Sequence, residues 1–174
     1  MDGRITEDES AGNRLDRFLL SVEKGRALGG IRNVEATHIL REGQSASGGV
    51  AESGKISDRS LEQEKRLIRY AIESGCWLSL EGIRRESQGF LGKGAENKVY
   101  LDSAGEYVIK IADYTAINPF ETPLSFLNNR ITLHNTIFPE TVYELLGFNW
   151  FEEGRFYFIK NNSLLKEQNP HKMK

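Results

Sequence analysis

The spacing of apolar residues predicts helices in the first part of the chain. Apolar positions at helical intervals indicate an amphipathic helix over Asn13–Leu28, and we predict a second, short helix over Asn33–Arg41. A third helix is predicted over Ser60–Ser74, because its first four residues have the spacing of a capping box and Gly75 follows it. We therefore expect the region before Gly75 to be mainly helical.

A change in composition separates the second and third predicted helices. Residues 42–54 are small, polar and rich in glycine, which indicates a flexible linker. We predict a helical N-terminal extension at residues 1–42, a linker at 43–59, a folded unit at 60–160 and an irregular tail at 161–174.

The second half of the chain has the pattern of a sheet with one helix. Residues 76–90 give only a weak strand or turn signal, and five strands are then predicted at 89–93, 97–102, 106–111, 143–150 and 156–160. Thr122 and Pro123 are a typical helix start, and an apolar stripe follows at Leu124, Leu127 and Ile131. The order of elements predicts an α+β fold: a twisted antiparallel sheet with one packed helix, preceded by a helical N-terminal extension.

Composition narrows the range of partners and compartments. The net charge of −2 argues against a bulk polyanion binder, so nucleic acid is not an expected partner. Cys76 is the single cysteine, which excludes an intramolecular disulfide and favours a reducing compartment. No segment of the sequence is apolar over the length that a bilayer requires. We therefore expect a soluble cytoplasmic protein with no membrane partner.

A glycine-rich loop and a strand lysine are the strongest candidate chemistry. The backbone N–H groups of Gly92 and Gly94 can approach a phosphate closely, and the Gly105 turn folds the strand of Lys110 back towards them. An unpaired ammonium among the apolar neighbours of Lys110 would be costly, so we expect it to meet a phosphate or a carboxylate. The candidate nucleotide-binding residues are Leu91, Gly92, Lys93, Gly94, Ala95, Glu96, Asn97, Val99 and Lys110.

Each of these residues also has a plainer interpretation. Glycine pairs are common in turns that bind nothing, and a lysine can occupy the solvent face of an edge strand. Glu96 could contact a ligand hydroxyl or a metal, although loop glutamates are more often solvated. His134 and Asn135 have no acid or nucleophile beside them in sequence, so we expect a hydrogen-bonded corner between helix and strand. We assign no catalytic residue and no metal ligand.

The glycine loop and the lysine strand resemble the nucleotide-binding lobe of the protein-kinase superfamily, with Asn97 in place of the third loop glycine. Residues 94–100, 108–110 and 133–148 resemble more closely the polyvalent protein kinase domains of mobile elements in Bacteroidetes-type bacteria. This resemblance covers about residues 60–160. It implies a kinase-like fold and an ATP site, with residues 158–161 along the adenine edge and six loop and strand residues carried over: Gly92, Gly94, Glu96, Asn97, Val99 and Lys110.

The same resemblance implies an incomplete enzyme. Neither a His-Arg-Asp nor an Asp-Phe-Gly motif follows Lys110, and the helix predicted after Thr122 contains no Glu or Asp to pair with it. Glu121 and Glu144 would be irregular partners. We expect weak ATP binding, no Mg²⁺ site without a second lobe, and no phosphate transfer by this chain, as in a pseudokinase.

Two further expectations concern the role and the end of the chain. The alternative function is a non-enzymatic interaction module, or a truncated remnant of a mobile-element polyvalent protein, that binds a protein through the face where a second lobe would dock. From Lys160 onward, a shifted reading frame with permitted codons encodes residues that resemble the start of a second kinase lobe. We therefore expect a frameshifted or early-terminated gene.

Overall fold

The computed structural model describes residues 28–46, 56–151 and 154–163 of the chain. Three helices precede the sheet: α1 (Gly30–Ala46), α2 (Ile56–Glu73) and α3 (Leu80–Arg85). The strands are β1 (Ser87–Lys93), β2 (Asn97–Asp102), β3 (Tyr107–Asp113), β4 (Tyr143–Phe151) and β5 (Arg155–Ser163). The helix predicted over Asn13–Leu28, apart from Leu28 itself, and most of the predicted tail lie outside the described residues.

The five strands form one antiparallel sheet in the order β1-β2-β3-β5-β4. Gly105 has a φ of 68° in the turn between β2 and β3, a left-handed conformation that glycine adopts without a steric cost. The carboxylate of Asp102 accepts hydrogen bonds in the same turn from the backbone N–H groups of Glu106 (2.7 Å) and Tyr107 (2.6 Å). The predicted α+β fold and its strand pairs are therefore confirmed.

The segment between β3 and β4 is helical in three parts. It consists of α4 (Pro123–Phe126), a π-helical segment (Leu127–Thr132) and α5 (Leu133–Ile137), and we call residues 123–137 the central helix. Thr122 caps its first turn by accepting a hydrogen bond from the Ser125 N–H at 3.2 Å, as predicted. The π-helical segment was not predicted, because the apolar stripe defines which side of a helix is buried and not its hydrogen-bond spacing.

The main core lies between the helices and one face of the sheet, which we call the helix-bearing face. Phe126 of the central helix stacks on Phe158 of β5 with ring centres 4.4 Å apart. Leu40 of α1 and Leu67 of α2 are buried in the same cluster as these rings. The Leu145 N–H of β4 also donates to the Gly29 carbonyl at 3.0 Å, just before α1. Helices α1 and α2 therefore share one core with the central helix.

The opposite face of the sheet has its own, smaller core, which helix α3 partly covers. Ile83 of α3 is buried in one cluster with Tyr100, Ile111 and Ile159. Ser79 caps this helix by accepting a hydrogen bond from the Gly82 N–H at 2.9 Å. Sequence analysis missed α3, because six residues are too few for a helical period to stand out.

The weak signal before α3 corresponds to a single bridge along the edge of β4. The Phe148 N–H donates to the Cys76 carbonyl at 3.1 Å, and the Leu78 N–H donates to the Phe148 carbonyl at 3.0 Å. Trp77 and Phe148 form this bridge in parallel orientation. The segment thus pairs with an outer strand of the sheet, where exposed N–H and C=O groups would otherwise remain.

Several predicted boundaries were wrong. Helix α1 continues to Ala46 and α2 begins at Ile56, so residues 43–46 and 56–59 are helical where the linker was predicted. The glycine at position 43 is explained by a close contact between helices and not by a linker, because a Cβ there would lie 2.6 Å from the Arg66 guanidinium. Strand β5 reaches Ser163, beyond the predicted end of the lobe. The division of the chain into extension, linker, lobe and tail stays a prediction.

The predicted end of the third helix is confirmed. Helix α2 ends at Glu73, and Gly75 follows with a φ of 66°, which is typical of a helix C-terminus. Across residues 28–46, 56–151 and 154–163, no helix has both the length and the apolar character needed to cross a membrane.

Candidate functional site

The glycine loop is the hairpin that joins β1 to β2. The Gly94 N–H donates to the Asn97 carbonyl at 2.8 Å, which closes the turn. The Asp113 N–H donates to the Glu96 carbonyl at 2.9 Å, which ties the loop to the end of β3. Asn97, at the third glycine position, is the first residue of β2 and pairs with Ala112. The loop is therefore anchored at both ends by backbone hydrogen bonds.

Gly92 and Gly94 are not required by the fold around them. Neither has a positive φ, in contrast to the turn glycines at Gly105 and Gly154. A Cβ at Gly92 would meet no described atom within 4 Å, and a Cβ at Gly94 would only touch the Asn97 carbonyl at 4.0 Å. These glycines leave open space beside the backbone of the loop.

One cross-strand row connects the loop to the strand lysine. Gly92 faces Val99, Val99 faces Lys110, Lys110 faces Lys160, and Lys160 faces Leu145. Side chains directly opposite each other share a face, and this is the helix-bearing face, since Leu145 belongs to the main core. Adjacent strands lie about 4.8 Å apart, so Gly92 lies roughly 10 Å from Lys110. The structure therefore brings Gly92, Val99 and Lys110 together.

Other predicted site residues lie elsewhere on the hairpin. Leu91 is exposed at an irregularity in the β1–β2 pairing, and Ala95 is exposed at the tip. Lys93 pairs with Lys98 on the opposite face of the sheet from Lys110. There it lines a cavity of about 340 Å³, together with loop residues and Asp113, Arg155 and Tyr157. The structure thus separates Lys93 from the row that contains Lys110.

Lys110 is half-buried and its ammonium meets a phenol. The Nζ donates to the Tyr143 hydroxyl at 3.0 Å and lies 4.9 Å from the centre of the same ring. Within the described ranges, no ion pair joins a carboxylate to Lys110. Glu121 instead lies 3.9 Å from Arg130, and Glu144 is exposed. The predicted carboxylate partner is therefore not found among these residues.

Lys160 is a second cation on the same face, and it was missed as a candidate in its own right. Lys160 is only 4 % exposed. Its Nζ lies 4.3 Å from the ring centre of Tyr143 and 5.2 Å from the ring centre of Phe126. The pKa of Lys160 is lowered to about 8, chiefly by burial; the Glu96 carboxylate opposes this shift, whereas Lys110 and Arg130 add to it. The sequence signal was a lysine inside an apolar strand, the same signal that identified Lys110.

Glu96 therefore has an electrostatic role that sequence analysis did not anticipate. Its side chain is half-buried, and its charge acts on both Lys160 and Glu121. Burial raises the pKa of the Glu121 carboxyl, an effect that the nearby Arg130 opposes. The loop thus contributes one negative charge close to a group of three cations.

A hydrogen-bonded corner holds Tyr143 in position, as predicted. Asn135 is fully buried; its amide donates to the Tyr143 carbonyl and accepts from the Tyr143 N–H, both at 2.7 Å. The His134 ring lies 4.4 Å from the Tyr143 ring, and its Nε2 donates to the Thr141 carbonyl at 3.1 Å. The corner therefore fixes the aromatic ring that both lysines contact.

Comparison with known proteins identifies the region that contains this row. A family model described as a serine/threonine/tyrosine kinase found in polyvalent proteins matches residues 60–174. The matched region includes all five strands, the central helix and the glycine loop. No curated protein matches the chain, and no solved structure matches it.

Proposed function

Because the chain belongs to the family of serine/threonine/tyrosine kinases found in polyvalent proteins, we propose that its kinase-like lobe binds the phosphate groups of a nucleotide such as ATP. The observation that carries this proposal is the cross-strand row of Gly92, Val99 and Lys110 on the helix-bearing face. In this arrangement the loop backbone covers the phosphates and the ammonium of Lys110 binds them.

The surroundings of Lys110 support this role. The half-buried ammonium of Lys110 bonds to a neutral hydroxyl, and within the described ranges no carboxylate in direct contact supplies the opposite charge that would offset its lost hydration. A phosphate oxygen would supply that charge and form a short, charge-assisted hydrogen bond. Tyr143 would keep the ammonium in place before and after the ligand binds.

The open space at the loop supports the other half of the site. Gly92 and Gly94 serve neither a left-handed turn nor a close packing contact within the described chain. Gly147 shows the contrast, because a Cβ there would overlap the Cys76 carbonyl. Glycine without such a structural reason is typical of a backbone that a ligand approaches closely. The residues present therefore fit a polyphosphate.

Phosphate transfer is a separate matter. The kinase reaction needs an aspartate that accepts the hydroxyl proton and another that holds the metal, and neither motif occurs after Lys110. We therefore propose that this chain binds a nucleotide without transferring phosphate. Incubation with radiolabelled ATP should give no incorporation, and labelling that follows the purified protein would contradict this part of the proposal.

A second candidate function is a non-enzymatic interaction module. Leu133, Ile137 and Phe138, at the end of the central helix, are 49 %, 57 % and 47 % exposed. Large apolar side chains clustered at a surface are typical of protein contact sites. This function requires no ligand at Lys110, so a test of ATP binding distinguishes the interaction module from the nucleotide-binding lobe.

NMR shift mapping of the full chain with ATP tests the proposal. We expect shifts at residues 92–99 and 110, and their loss in Lys110→Met, which keeps most of the side-chain length and removes the charge. Lys98→Met is the matched control, since Lys98 lies on the same hairpin but projects from the opposite face. Unchanged shifts at the loop under millimolar ATP would overturn the nucleotide proposal and favour the interaction module.

A further inference from the structure

We propose that Lys160 is a second phosphate-binding residue, which together with Lys110 lets this lobe hold a polyphosphate without a divalent metal ion. The inference rests on the proposed function and extends it to the charge balance of the same site. It concerns a residue that the sequence motif does not include.

The first observation is the position of the two ammonium groups. Lys110 and Lys160 face each other directly across β3 and β5, so their side chains leave the sheet on the same face. The ring centre of Tyr143 lies 4.9 Å from one Nζ and 4.3 Å from the other. Two positive charges therefore share one aromatic ring, in the same cross-strand row as Gly92 of the glycine loop.

The second observation is the burial of Lys160 without an ion pair. Its residue is 96 % removed from solvent, and within the described ranges no carboxylate forms an ion pair with it. Ring faces attract a cation but offset only part of the cost of its lost hydration. A buried cation next to another cation is most stable when an anion lies between them. A polyphosphate is long enough to extend from these cations towards the glycine loop in the same row, which has open space for it.

The third observation concerns charge. Metal ions in phosphoryl-transfer enzymes neutralise the oxygens of adjacent phosphates. Lys110 and Lys160 together carry the two positive charges that one such ion would supply, and Arg130 is close enough to affect Lys160. The ligand class is therefore a di- or triphosphate in its metal-free form.

The charge of Lys160 makes this binding dependent on pH. The groups that act on it are Glu96 in the loop, Lys110 on β3, Arg130 on the central helix and the Tyr143 ring on β4, against which His134 packs. The pKa of Lys160 is lowered to about 8 by burial, so at pH 9 only about one tenth of these side chains are protonated before ligand binds. Binding should therefore weaken between pH 7 and pH 9.

The test is titration calorimetry of the full chain with inorganic tripolyphosphate in EDTA at pH 7 and pH 9. Comparison of wild type with Lys160→Met cancels the titration of the ligand and of every other group. We expect tripolyphosphate to bind wild type without a metal ion. The loss of affinity between pH 7 and pH 9 should be roughly tenfold greater in wild type than in Lys160→Met. Lys98→Met should behave as wild type at both pH values.

The possible outcomes separate this inference from the proposed function. Binding that is lost in Lys110→Met but unchanged in Lys160→Met, with the wild-type pH profile, would overturn the role of Lys160 and leave the nucleotide site standing. Binding that requires added Mg²⁺ would overturn metal-free binding in the same way. The absence of any tripolyphosphate or ATP binding to wild type would overturn both proposals.

A measurement on the wild-type protein covers the case in which Lys160→Met does not fold. Lysine labelled with ¹³C at the ε carbon reports the titration of each amine by NMR. We expect one lysine to titrate near pH 8 in the free protein and at clearly higher pH with tripolyphosphate. If tripolyphosphate binds and this resonance does not move, Lys160 does not contact the anion.

Discussion

The two faces of the sheet hold their cations in different surroundings. On the face covered by α3, Lys93 is exposed and Arg155 forms an ion pair with Asp113 at 3.1 Å. On the helix-bearing face, Lys110 and Lys160 instead contact two aromatic side chains, Tyr143 and Phe126, and Lys110 also donates to the Tyr143 hydroxyl. A cation that contacts water or a carboxylate is stable without a bound ligand. A buried cation that contacts neither water nor an anion lowers the stability of the fold. This difference between the two faces supports the proposed anion site on the helix-bearing face.

The largest effect is expected from Asn135→Ala, which removes the support of Tyr143. The change leaves the N–H and carbonyl of Tyr143 without their 2.7 Å partners in a buried corner. We expect a loss of about 3 kcal/mol in the free energy of unfolding, measured by denaturant titration. Asn129→Ala is the control, because Asn129 lies exposed on the same helix. A loss of similar size in both variants would show that the corner has no special role.

The next largest effect is a gain in stability from Lys160→Met at pH 7. A folded-state pKa of about 8 lies below the ordinary lysine pKa of 10.5, so the folded protein holds this proton less tightly than the unfolded chain. Lys160 therefore costs stability below pH 8, and that cost disappears as pH rises to 10.5. We expect Lys160→Met to stabilise the fold by about 1 to 3 kcal/mol at pH 7.

The pH dependence of that gain makes the comparison of faces sharper. The advantage of Lys160→Met, followed by thermal unfolding, should shrink steadily between pH 8 and pH 10.5. Lys98→Met, on the opposite face, should stay within about 0.5 kcal/mol of wild type throughout. If Lys160→Met destabilises the fold at pH 7, the charged lysine is better accommodated than its burial indicates.

A smaller effect is expected from Arg155→Ala on the face covered by α3. Its ion pair with Asp113 joins one side chain that is 56 % exposed to one that is 10 % exposed. Exposed ion pairs contribute little, so we expect a loss of about 0.5 kcal/mol that becomes smaller at high salt. A loss above about 2 kcal/mol would mean that this face also depends on its charges.

The smallest effect on stability is expected from Gly92→Ala. A Cβ at Gly92 meets no described atom within 4 Å, so the free energy of unfolding should change by less than about 0.5 kcal/mol. The same change should weaken ATP shifts at the loop, because the methyl group occupies the space that a phosphate needs. Gly147→Ala provides the contrast, since overlap with the Cys76 carbonyl should destabilise the fold without any ligand. Full ATP binding by Gly92→Ala would contradict the loop assignment.

Patterns of local sequence determined the strands, the start of the central helix and one of the two lysines. Alternation and turn residues located β2 at its observed bounds, and Thr122 with Pro123 located the helix start. The corner at His134 and Asn135 was also predicted, since polar side chains without a reactive neighbour usually satisfy backbone groups. These features depend on residues close to each other along the chain, so a single sequence contains their signal.

Tertiary structure decided which face each cation occupies and which helices share the core. Lys93 and Lys110 were grouped together from sequence, but strand register places them on opposite faces, because one position along a strand reverses a side chain. Lys160 became a candidate only when β5 paired with β3 and both ammonium groups came within 4.9 Å of the Tyr143 ring centre. Glycine at position 43 indicated a linker until the approach of Arg66 explained it. Contacts between distant parts of the chain depend on how elements pack, and local patterns do not encode that packing.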